Sequence, residues 1–137
     1  MKRTNNWLFM ITAVVTFIFG CSEQTSRPDD ALGTARAFIR ASLDGEYDQA
    51  KLLMLQDSVN NFELTQLSER YESQLSKDEK EGYKKSSIII HTVDQVNDSV
   101  VVINYSNSYK QKKMPVKVIL KDGIWQVDLN YTFSGNL

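Results

Sequence analysis

Only one cysteine, Cys21, occurs in the 137 residues, so no disulfide can form within the chain. There is also a single histidine, His91, and a zinc site would then need carboxylates for most of its three or four ligands, which argues against one. Positive charge is not in excess: the formal net charge is −1, and no whole-domain field attracts DNA or RNA. No G-x-S-x-G elbow, P-loop or G-x-G-x-x-G is present, so the common nucleophile and nucleotide motifs are missing. No apolar run reaches the roughly 20 residues that a bilayer-spanning helix needs. Internal repeats and low-complexity tracts are absent as well. What remains is ordinary for one globular domain, with 42% hydrophobic and 24% charged residues.

The first 20 residues differ from the rest. Met1-Lys2-Arg3 is a short basic start, and residues 7–19 form an apolar run broken only by Thr12 and Thr16. That length suits a signal-peptide core, with an uncleaved anchor as the competing reading. The junction separates the two. Ile18-Phe19-Gly20-Cys21 resembles the lipobox of bacterial lipoproteins: an aliphatic residue, a variable one, a small one and the modified cysteine. The resemblance implies a lipid on Cys21, cleavage before it, and a chain anchored to the cell envelope. Residues 21–29 read as a flexible tether, since they show no apolar period. Ser22, which is not the aspartate linked to inner-membrane retention, favours the outer membrane, with the domain facing the periplasm or the cell surface. Processing leaves 14 basic against 17 acidic side chains, a net of −3.

Residues 30–133 carry the folded domain, followed by a short tail, 134–137. Asp29 or Asp30 can cap a helix in which Leu32, Ala35, Phe38, Ile39, Ser42 and Leu43 recur at helical spacing, and Asp44-Gly45 stops it. A second helix is expected over 46–55, burying Tyr47, Ala50 and Leu53 or Met54. A third is capped by Asp57 or Ser58, with Leu64, Leu67, Tyr71 and Leu75 along one face. The charged stretch 76–85 reads as a connector. The period then changes from helical to alternating. A strand over 87–96 leads through an Asn97-Asp98 turn to 99–106, where Val101, Ile103 and Tyr105 share a face. Met114, Val116, Val118 and Leu120 define the next strand, and Asp122-Gly123 the next turn. A last strand places Trp125, Val127, Leu129 and Tyr131 on one side. Helices first and an antiparallel meander second predict an α+β fold, with N-terminal helices packed on a curved, cone-like sheet of four strands.

Three stretches carry a likeness to a known group: residues 37–50, with their helix–DGEYDQA–helix pattern, the 96–102 hairpin, and Lys121-Asp122-Gly123-Ile124-Trp125-Gln126-Val127. They resemble small lipoprotein domains of unknown function, the lumazine-binding-like group of the nuclear transport factor 2-like superfamily. The resemblance implies the cone-shaped fold and names no reaction. Isomerases and dehydratases of this superfamily use an Asp or His base with tyrosine donors inside the cone. His91, Asp94 and Tyr105, with Tyr109 and Tyr131, supply those residue types as catalytic candidates. Each also fits a structural role, His91 as a satisfied core or rim residue and the tyrosines as core aromatics with a polar tip. Lys110, Lys112, Lys113, Lys117 and Lys121 form a basic patch, suited to anionic headgroups or an acidic partner, or simply to guarding a strand against aggregation. The expected function is a non-catalytic, lipid-anchored module that binds an envelope protein or a small apolar ligand. No cofactor is implied. A small isomerase- or dehydratase-like enzyme is the alternative.

Overall fold

The computed structural model describes residues 27–133. The leader, Cys21, the tether as far as Ser26 and the tail lie outside the described residues. Helix α1 spans Ala31–Asp44, α2 Tyr47–Leu52, α3 Ser58–Gln74 and α4 Lys77–Lys85. Strands β1 (Ile88–Asn97), β2 (Val100–Asn107), β3 (Met114–Lys121) and β4 (Ile124–Asp128) follow, and a short helix, α5, covers Leu129–Phe133. The four strands form one antiparallel sheet in the order β1-β2-β3-β4, not closed into a barrel. The fold is the α+β arrangement that the two periods dictate.

Asp30 starts α1 by accepting from the Gly33 amide at 2.7 Å, and Gly45 ends it in the left-handed region with φ of 78°. The stripe between them, Ala35, Phe38 and Ile39, is buried against the sheet's inner face, on Val116, Val118 and Val127. Ala50 is buried from α2, and the chain beyond it lies beside β4, where Leu55 N donates to Val127 O and Val127 N to Leu53 O. That segment covers the β4 edge of the sheet.

Three local expectations need correction. The charged stretch 76–85 is not a connector, because α4 fills it. Ser76 and Glu79 form a capping box, with Ser76 Oγ accepting from Glu79 N at 3.2 Å and Glu79 Oε2 accepting from Ser76 N at 3.1 Å. Arg40 then donates to the carbonyls of Tyr83, Lys84 and Ser86 at the far end of the helix. Both termini are therefore satisfied, and few apolar residues are needed. The first hairpin turns one residue later than expected, through Asp98 and Ser99, because the Asn97 side chain accepts from Ser99 N at 2.9 Å. The last strand stops at Asp128. Buried Asn60 accepts from Leu129 N at 2.6 Å, a bond that draws the chain off the sheet and into α5. Trp125 packs on the core from a half-buried position.

Candidate functional site

The inner face of the sheet and the helices do not meet everywhere. A cavity of about 650 Å³ lies between them, with walls of Phe38, Ile39 and Leu43 from α1, Leu67 from α3 and Met114 and Val116 from β3. This volume falls within the range of small-molecule sites, roughly 300–1,000 Å³. Tyrosines stand where an ordinary core would carry leucine or phenylalanine: Tyr47, Tyr71, Tyr83 and Tyr105 all line the space. Helical periodicity sets Tyr71 one turn beyond Leu67 on the inner face of α3, and strand alternation turns Tyr105 inward behind Ile103. Tyr47 meets Tyr71 edge to face, with ring centroids 5.7 Å apart.

Their hydroxyls are the unusual part. Tyr71 is 6% exposed, and its Oη is buried with no hydrogen-bond partner among the described residues. A buried polar group left in that condition costs about 1–3 kcal/mol. Burial alone pushes the Tyr105 phenol up to about 12 from the usual 10.0. Burial raises Tyr47 too, helped by the neighbouring Tyr71 hydroxyl, and it raises Tyr71 against the opposing charge of Lys80.

A raised phenol means that the folded chain holds a proton which the unfolded chain has already lost. The resulting stability is complete below pH 10 and disappears as the pH rises through about 12. Alkaline titration of tyrosinate absorbance should therefore show a delayed group of phenols. Tyr105→Phe should remove one of them and flatten the loss of stability over that interval. An unchanged alkaline profile in Tyr105→Phe would place its hydroxyl in water.

The candidate residues do not converge. Asn104 and Ser106 alternate with Tyr105 and so face away from the cavity. A register shift between Ile90 and Thr92 sets His91 at a bulge, exposed, with its ring Nε2 2.9 Å from Ser106 Oγ. Asp94 lies on the same outer side of the sheet and accepts from Thr92 Oγ1 at 2.7 Å and from Asn104 Nδ2 at 3.3 Å. His91 and Asp94 thus belong to cross-strand hydrogen bonding on the outer face, and Tyr105 alone of the three reaches the cavity. Tyr109 packs on Tyr83 outside the lining, with centroids 5.2 Å apart, and Tyr131 sits 5.4 Å below the Lys117 ammonium. The basic patch divides as well. Lys117 pairs across the outer face with Asp128 at 3.2 Å, while Lys110 and Lys112 line the mouth of the cavity together with exposed Arg70.

Arg70 and the tyrosines of the helices escape a reading of motifs, since each looks like an ordinary member of an amphipathic face. Their signal in the sequence is the repeated choice of tyrosine at inward positions. Among the described residues, no group of three or more His, Cys, Asp or Glu could hold a metal ion, and no helix is long and apolar enough to cross a membrane. In comparison with known proteins, the chain matches no family model, no curated protein and no solved structure.

Proposed function

We propose that the chain is a lipid-anchored domain of the bacterial cell envelope that holds a small, mainly apolar molecule between its sheet and its helices, without catalysis. The cavity carries this reading: its walls are mainly apolar, and the buried Tyr71 hydroxyl has no partner among the described residues, so a ligand oxygen can supply one. An isomerase or dehydratase of the resembled superfamily would need a base beside the tyrosines, whereas His91 and Asp94 stand on the opposite face of the sheet. The helices-then-meander order also supports the likeness to the lumazine-binding-like group.

A tryptophan in place of Leu67, a half-buried wall residue, should fill the space. Binding of the uncharged probe N-phenylnaphthylamine, followed by its fluorescence on the full-length Cys21→Ser chain without detergent, should weaken by about tenfold or more, or 1.4 kcal/mol and upward. The leader is common to both proteins and its contribution cancels. Equal binding by the filled variant would remove the cavity from the function.

Anchoring rests on Cys21 and the lipobox-like residues before it. Two or more acyl chains hold a protein on a membrane where one binds reversibly. Cys21→Ser should abolish incorporation of labelled fatty acid and leave the leader uncleaved. Labelling that persists in this variant would refute the anchor.

A further inference from the structure

We infer that the molecule taken into this cavity is a free amphipathic organic anion, a single apolar body with one acidic head, and that Arg70 and Lys112 hold the head at the mouth. This inference rests on the reading of the cavity as a ligand site and adds the class of ligand.

Among the described residues, three charged side chains line the space, and all three are cations: Arg70, Lys110 and Lys112. No carboxylate among the described residues lines it. The acidic groups nearby are already engaged. Asp44 pairs with Arg40 at 2.8 Å, Glu72 with Lys80 at 2.9 Å, and Glu79 with Lys110 at 3.3 Å. Lys110 is further occupied by the Tyr109 ring, 4.9 Å from its ammonium. Arg70 and Lys112 are left with no ion pair among the described residues. Two uncompensated cations at the rim of an apolar cavity favour an anion whose remaining surface is apolar. Guanidinium is also the better donor to a planar carboxylate, through paired N–H bonds.

The position of the charge matters equally. Arg70 and Lys112 are both exposed, so the acidic head keeps part of its hydration while the body enters among Leu43, Leu67 and Val116. A carboxylate carried to the depth of Tyr105 would lose its water without meeting a cation. Deeper in, the Tyr71 hydroxyl is a neutral donor suited to an uncharged oxygen along the body.

The test is displacement of N-phenylnaphthylamine from the full-length Cys21→Ser chain by laurate, dodecanol and dodecylamine, which share one apolar tail. Laurate should bind about tenfold tighter than dodecanol at low salt, and dodecylamine weakest of the three. High salt should reduce the preference for laurate. The exposed-site double variant R70Q/K112Q should bring laurate to the level of dodecanol. Equal binding of laurate and dodecanol to the parent chain, with the probe still bound, would overturn the anion assignment and leave the cavity reading intact. A preference for laurate that survives both high salt and R70Q/K112Q would also overturn it. A probe that does not bind at all overturns both readings together.

Discussion

Ile103→Ala should lower the unfolding free energy by about 3–4 kcal/mol, within the 2–5 kcal/mol usual for truncating a buried isoleucine. Ile103 is 0% exposed on the inner face of β2, between Val93 on β1 and Val116 on β3. Deleting its methyl groups removes apolar burial and leaves a void that the paired strands are too rigid to close. In a domain of this size the thermal midpoint should fall by roughly 10–20 °C. In urea the midpoint should drop with little change in slope. Val93→Ala provides the contrast. It alters the residue paired with Ile103, yet Val93 is 49% exposed, and the change should cost below about 1 kcal/mol. Equal losses at the two positions would contradict the burial of Ile103 and the exposure of Val93.

Gly45→Ala should cost about 2–5 kcal/mol. Gly45 closes α1 at φ of 78°, where its N–H and that of Glu46 satisfy the last carbonyls, Ser42 O and Ala41 O. An L side chain in that region costs about 1–2 kcal/mol. A Cβ at this position would also stand 2.5 Å from Cε1 of the buried Tyr71 ring, and overpacking of this kind adds about 1–3 kcal/mol. Gly123→Ala isolates the first contribution. Gly123 has φ of 74° in the β3–β4 turn, and nothing lies within 4 Å of its would-be Cβ. The difference between the two variants, read from urea unfolding, measures the contact with Tyr71. The ring lines the cavity, so Gly45→Ala should weaken binding of N-phenylnaphthylamine alongside stability, whereas Gly123→Ala should not. Equal costs for both glycines would mean that Tyr71 yields freely.

The regular elements were legible wherever period and capping agreed. α1 carries an apolar stripe between an Asp30 cap and a Gly45 stop, and the faces of β2 and β3 follow their alternation. The Asp122-Gly123 turn has both residues at positive φ, as an Asp-Gly hairpin requires. α4 is hidden from a reading of hydrophobic period because its signal lies in its end chemistry. Ser76-Lys77-Asp78-Glu79 spells its capping box, but the helix buries none of its residues and so has almost no stripe to find. The end of β4 is hidden for the opposite reason. Trp125, Val127, Leu129 and Tyr131 continue a perfect alternation, and only a bond from Asn60, 69 residues earlier in the chain, breaks it.

The same division runs through the candidate site. Local period was enough to turn Tyr105 inward, Asn104 outward and Tyr71 toward the core, because side-chain direction follows backbone repeat. It was not enough to place His91 and Asp94. Their side of the sheet depends on a bulge and on the register of β1 against β2, and one residue of slip exchanges the two faces. Whether the inward tyrosines would fill the core or border a space was likewise beyond any local pattern. That outcome depends on how far α1 and α3 stand from the sheet, a distance set by packing among residues remote in the chain.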